Sequence, residues 1–126
     1  MIDITKTIIE RLNSIQTVRG RVFREYPASD AMAAMPYIVV GRSGHSTIQS
    51  ADDGEEILAQ VTYTARTYAH TAEESESIAH EMIRINNHMG INTIGYASPV
   101  YSELNHGYSV TVTFSAKVDR RGATYR

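Results

Sequence analysis

Cysteine is absent, which excludes disulfide staples, thiolate metal sites and a cysteine nucleophile. The absence fits a reducing compartment. Lysine is scarce as well: ten of the twelve basic residues are arginine, leaving only Lys6 and Lys117. Arginine is favoured where a cation is partly desolvated or held by a bidentate partner, as at interfaces. Biased base composition of the genome produces the same skew, and both explanations stay open. No apolar run approaches the roughly 20 residues needed to cross a bilayer as a helix. The N-terminus has no basic stretch ahead of an apolar core, so no secretory leader and no membrane partner are expected. With a net charge of −2 there is no global positive field to draw the chain to nucleic acid. Internal repeats, low-complexity tracts and linkers are also missing.

What remains is one domain of 126 residues, long enough to bury roughly two-thirds of the surface its unfolded chain exposes. A hydrophobic content of 42% against 21% charged residues rules out disorder throughout. The clearest pattern runs from Tyr108 to Val118. Tyr108, Val110, Val112, Phe114, Ala116 and Val118 alternate strictly with Ser109, Thr111, Thr113, Ser115 and Lys117. That predicts a strand with one buried and one wet face. Ile57 to Tyr68 alternates in the same way, with Ile57, Ala59, Val61, Tyr63 and Ala65 on one face, and is its natural neighbour. Pro36 to Gly41 is apolar on both sides and predicts a central strand. Val22 and Phe23, flanked by arginines, predict a short edge strand that Pro27 ends. Ala28 to Met35 is left as a helical turn or coil.

Two helices are expected. Ile8, Ile9, Leu12 and Ile15 fall at helical spacing, with Asp3 as N-cap, and predict a helix over residues 4–13. Thr71 and Glu74 have the form of a capping box, and Gly90 is a C-terminal stop. Between them Ile78, Ala79, Met82, Ile85 and Met89 form one stripe, which predicts a helix from Ala72 to about His88. A less regular strand over 93–104, broken by Pro99, leads through an Asn105–Gly107 hairpin loop into the last strand. There Gly107 is expected to take the left-handed conformation. The polar stretch 43–54 is expected as a mobile loop, and 119–126 as a polar, arginine-rich tail. The order α-β-β-β-α-β-β predicts an α+β domain, a mostly antiparallel sheet with two helices packed on one face.

Motifs that carry chemistry are missing. His80 and Glu81 begin a zincin pattern, but Arg84 stands where its second histidine would be. His80 and His88 are two turns apart, too far to share a metal without other ligands, and His45, His70 and His106 lie in expected loops or element ends. Asp52, Asp53, Glu55 and Glu56 lack the alternation and frame of a calcium loop. No nucleophile elbow, dinucleotide fingerprint or phosphate loop is present. The arginines are scattered, and no helix concentrates basic and amide side chains for base readout. No catalytic, cofactor or metal residues are therefore assigned, and no enzyme activity is expected.

In order and character the segments resemble the small tail-completion, or tail terminator, proteins of long-tailed bacteriophages. The likeness runs through an amphipathic first helix, GRVFREYP, MPYIVVGR, the strand ILAQVTYTARTYA, the helix TAEESESIAHEMIRIN and the closing YSVTVTFSAKVDRRG. It implies a structural virion protein that assembles with itself into a ring, six subunits in the best-known members. Such a ring caps the head-proximal end of the tail tube, stops its growth and meets the head–tail connector. DNA passes through the lumen without sequence-specific binding. The location implied is the tail or neck of the virion, with the host cytoplasm as the place of assembly. The family has no catalytic residues to transfer.

Physically, a ring subunit needs two different surfaces that meet head-to-tail and close. The expected contacts are Ser43 and His45 with the acidic Asp52, Asp53 and Glu55 on one side. On the other stand Arg120, Arg121, Tyr125 and Arg126, the tail reaching to a neighbour's acidic loop. Two other expectations stand beside this one. One is a different neck or head-completion component. The other is a small α+β hydrolase or isomerase, which a pocket joining His70 or His106 to a buried carboxylate would favour.

Overall fold

A computed structural model describes residues 4–19, 21–24, 35–50, 54, 56–102 and 107–125. The expected Asp3 cap, the 28–34 segment, most of the loop before Gly107 including His106, and Asp52, Asp53, Glu55 and Arg126 lie outside the described residues. The elements are α1 (Thr5–Leu12), a 3-10 turn (Gln16–Val18), β1 (Val22–Phe23), β2 (Tyr37–Ser50) and β3 (Glu56–Ala69). They are followed by α2 (Ala72–His88), β4 (Asn92–Tyr96), β5 (Val100–Ser102), β6 (Gly107–Asp119) and β7 (Thr124–Tyr125). One sheet runs β1-β2-β3-β6-β4, with β5 and β7 also paired to β6. All pairings are antiparallel except the short parallel match of Val22 and Phe23 to Ile38 and Val39. The architecture is the expected α+β class.

β3 and β6 form the middle of the sheet, in register from Leu58↔Asp119 to Ala69↔Tyr108. Their alternating apolar positions fall on one face: Ala59, Val61, Tyr63 and Ala65 beside Val110, Val112, Phe114, Ala116 and Val118, all buried. Ile78, Ala79, Met82 and Ile85 of α2 and Ile8 and Leu12 of α1 cover that face and complete the core. The opposite face of β6 is less wet than its composition suggests. Ser109, Thr111, Thr113 and Ser115 are half-buried, because short side chains in a central strand are shaded by their neighbours at Tyr68, Arg66, Thr64 and Thr62. Gln60 and Ser115 hydrogen-bond across the two strands on this face.

Both helix ends of α2 follow the local chemistry. The Thr71 side chain accepts a hydrogen bond from the Glu74 N–H at 3.1 Å, and Glu73 and Glu74 sit in the first turn, where the dipole favours them. At the other end Gly90 has φ +79°. That left-handed residue lets the Ile91 N–H reach the Asn86 carbonyl at 2.8 Å and buries Ile91. Inside the interface, the Thr67 and Ser75 hydroxyls meet at 2.6 Å, and the Val110 N–H donates to Thr67 at 3.3 Å. These buried polar groups are paired, which locates α2 over the β3–β6 seam.

α1 has no side-chain cap of its own. Its first amides turn inward: the Ile4 N–H donates to the Tyr63 hydroxyl at 3.1 Å, and Thr5 Oγ1 donates to the same oxygen at 3.4 Å. Tyr63 therefore pins the helix start to the centre of the sheet. Tyr63→Phe is expected to destabilise the fold by about 1–2 kcal/mol, the cost of leaving a buried N–H without its acceptor. A lower urea midpoint with an unchanged m value would be the signature; an unchanged midpoint would remove Tyr63 from this role.

Three expectations are corrected. The polar stretch 43–54 is not a loop over most of its length, since β2 continues through Ser50. Gly44, His45, Ser46 and Thr47 pair with Thr62, Val61, Gln60 and Ala59. The lower half of β3 needs a hydrogen-bonding partner whatever that partner's side chains are, and backbone pairing overrides the polar composition. Register shifts at Arg42/Gly44, Thr47/Gln49 and Gln49/Ser50 absorb the misfit. The polar tail also folds back over residues 119–125. Asp119 Oδ1 accepts the N–H groups of Arg121 and Ala123 at 2.9 and 3.0 Å, Gly122 takes φ +85°, and Thr124 and Tyr125 return alongside Val118 and Lys117. Finally, Gly107 is not left-handed. It pairs with Ser102 inside the sheet and is glycine because the Ala69 carbonyl would lie 2.6 Å from any Cβ there.

Candidate assembly edges

The sheet has two long outer edges. On one side β1 covers β2 only at Ile38 and Val39, so from Val40 to Ser50 no strand among the described residues pairs with the outer side of β2. On the other side three short strands lie end to end along β6. β5 sits at Gly107–Ser109, β4 at Val112–Ser115, and β7 at Lys117–Val118. Pro99 separates β4 from β5, as a residue without an N–H does at an edge. The stretch from Asn92 to Ser102 thus presents a second open border.

Among the described residues, every large hydrophobic side chain left exposed lies on these borders. Ile48, 47% exposed, belongs to β2. Ile94 at 61%, Tyr96 at 42%, Val100 at 61% and Tyr101 at 53% belong to β4 and β5. Ile94 stands at the register shift between Thr93 and Gly95. Tyr101 is braced edge-on against Tyr108, with ring centroids 5.4 Å apart. Tyr96 turns toward α2, where its hydroxyl lies 3.2 Å from Glu76 Oε1. Partial burial and then the Glu76 carboxylate raise the Tyr96 pKa above the ordinary phenol value. An unpaired strand edge bearing apolar side chains is a template for another strand.

The residues expected to make the contact are only partly gathered here. Ser43 and His45 do lie on the outer strand β2. Ser43 lines a shallow groove of ≈ 280 Å³ with Val39, Gly41, Arg42, Thr64 and Arg66 on the sheet face away from the helices. Tyr125 is in β7. Arg120 and Arg121, expected to reach a neighbouring subunit, stand exposed in the β6–β7 turn beside the β2–β3 hairpin. The Arg120 N–H donates to the Ile57 carbonyl at 3.1 Å. With Asp119 they line a groove of ≈ 450 Å³ against Gln49, Ile57 and Leu58. Ile94, Val100 and Tyr101 were not singled out from the sequence; a short apolar alternation interrupted by proline was the available signal of an exposed edge.

His70, His80 and His88 are exposed and His45 is half-buried. Among the described residues no three of His, Cys, Asp and Glu gather as metal ligands, and the buried polar side chains are Thr5, Thr67, Ser75 and Asn86. No helix is long and apolar enough to cross a membrane among the described residues. No family model matches the chain, and no curated protein matches it.

Proposed function

We propose that the protein is a structural ring subunit that joins copies of itself through its sheet edges and serves as a tail terminator of a long-tailed bacteriophage. The observation that carries it is the pair of unmatched borders on opposite sides of one sheet, holding all the exposed large apolar residues described. A border of β2 type on one copy and a border of β4–β5 type on the next make a head-to-tail contact, the kind that closes into a ring when the rotation allows. Backbone hydrogen bonds across the join supply affinity, and Ile48, Ile94, Val100 and Tyr101 supply the apolar area. The resemblance of the chain to tail terminators gives the ring its role: capping the head-proximal end of the tail tube and meeting the connector, with six subunits and DNA in the lumen. Another neck or head-completion component uses the same contact; copurification with tails rather than filled heads separates the two.

Electron microscopy of the purified protein at high concentration is expected to show annuli. Ile94→Lys combined with Val100→Lys should abolish them. Both positions are solvent-facing, so each substitution should change monomer stability by no more than about 0.5 kcal/mol. Charge reversal at Arg120 and Arg121 should leave the annuli intact, since those side chains stand beside their own hairpin. Compact monomers from the unaltered protein, or annuli from the double lysine variant, would overturn the edge contact.

A further inference from the structure

Glu76 and His80 are one helical turn apart on α2, so their side chains project from the same side. Tyr96 reaches them from β4. The three heteroatoms form a compact triangle: Tyr96 Oη to Glu76 Oε1 is 3.2 Å, Tyr96 Oη to His80 Nε2 is 3.4 Å, and His80 Nε2 to Glu76 Oε1 is 4.0 Å. A triangle with those sides has its circumcentre about 2.1 Å from every corner, which is the bond length of zinc to imidazole nitrogen and to oxygen. One point in space is thus already at coordination distance from a nitrogen and two oxygens.

We propose that Glu76, His80 and Tyr96 form a surface site for a divalent transition metal of the zinc type. The donor set suits such an ion, since imidazole and oxygen ligands together favour zinc or copper over calcium or magnesium. The Tyr96 hydroxyl donates to Glu76 Oε1, and its contact with His80 Nε2 runs in either direction according to the imidazole tautomer. On binding, three metal–ligand bonds form as the hydrated ion gives up three waters, and the phenol proton leaves to solvent. The imidazole and phenol rings lie 5.8 Å apart and tilted by 32°. Access is free: the side chains of His80 and Glu76 are 64% and 46% exposed. The nearest cation along the helix, Arg84, is occupied elsewhere, with Nη2 at 2.8 Å from Glu81 Oε2. A metal here would fasten the outer strand β4 to α2.

Calorimetric titration of the intact chain with Zn²⁺ alone is expected to show one ion per chain. His80→Ala and Tyr96→Phe should each weaken that binding at least about tenfold, equivalent to about 1.4 kcal/mol. Tyr96→Phe should also abolish the near-ultraviolet tyrosine difference signal that zinc produces in the unaltered protein. His88→Ala, on the same helix, should bind as the unaltered protein does. Circular dichroism on each variant confirms that these exposed positions leave the fold in place. No saturable uptake, or equal affinity in the unaltered, His80→Ala and Tyr96→Phe proteins, would overturn the assignment.

Discussion

Replacing Phe114 with alanine is expected to lower the stability of the protein by about 3–5 kcal/mol, the range for removing a buried aromatic ring. Phe114 is fully buried at the middle of β6. It lies directly across from Tyr63, with ring centroids 6.0 Å apart and planes 17° from parallel. Strands fill the sheet on both sides and two helices close over it, so the cavity cannot collapse easily and the loss falls at the upper end. Since domains of this size are stable by only about 5–15 kcal/mol, the variant should populate unfolded chains at moderate temperature. Urea unfolding followed by circular dichroism measures this. A loss below 1 kcal/mol would mean that the centre of the core lies elsewhere.

Gly107→Ala should have the next largest effect on folding, about 1–3 kcal/mol, for the opposite reason. A new Cβ there would lie 2.6 Å from the Ala69 carbonyl oxygen and 2.8 Å from Met35 Sδ. The sulfur can move; the carbonyl belongs to the β3–β6 ladder and moves only with the strand. The start of β6 must therefore shift, disturbing the Ala69↔Tyr108 and Ser102↔Gly107 pairings together. Gly41→Ala is the control, because nothing lies within 4 Å of a Cβ at that position. It should be neutral or slightly stabilising, as alanine has less backbone freedom to lose. Equal effects at the two sites would remove the close approach as the reason for Gly107.

The parts of the fold that could be read from the sequence are those set by local rules. β6 and β3 announce themselves because each must bury one face, and α2 because Thr71 and Gly90 mark its ends chemically. The lower half of β2 could not be read, since His45, Ser46 and Thr47 are held in the sheet by what β3 requires and not by their own preference. Gly107 misleads for a related cause: a glycine after Asn-His suggests a turn, whereas its reason is a carbonyl 38 residues earlier in the chain. The edges were hidden more deeply. Whether Ile94 or Val100 is inside or outside depends on strand order, which no spacing within β4 or β5 encodes. The polar and charged residues Ser43, His45, Arg120 and Arg121 look like contact residues in isolation, and of these only Ser43 and His45 fall on an open border of the sheet.

The strand order also dictates a schedule. β3 acquires β2 through a local hairpin, but its other flank is filled by β6, which follows only after α2, β4 and β5 in the chain. Pairings between distant segments close large loops and form slowly compared with local ones. During synthesis the β6-facing edge of β3 therefore stays unpaired until β6 leaves the ribosome, which makes that interval a moment of exposure to aggregation and to chaperones.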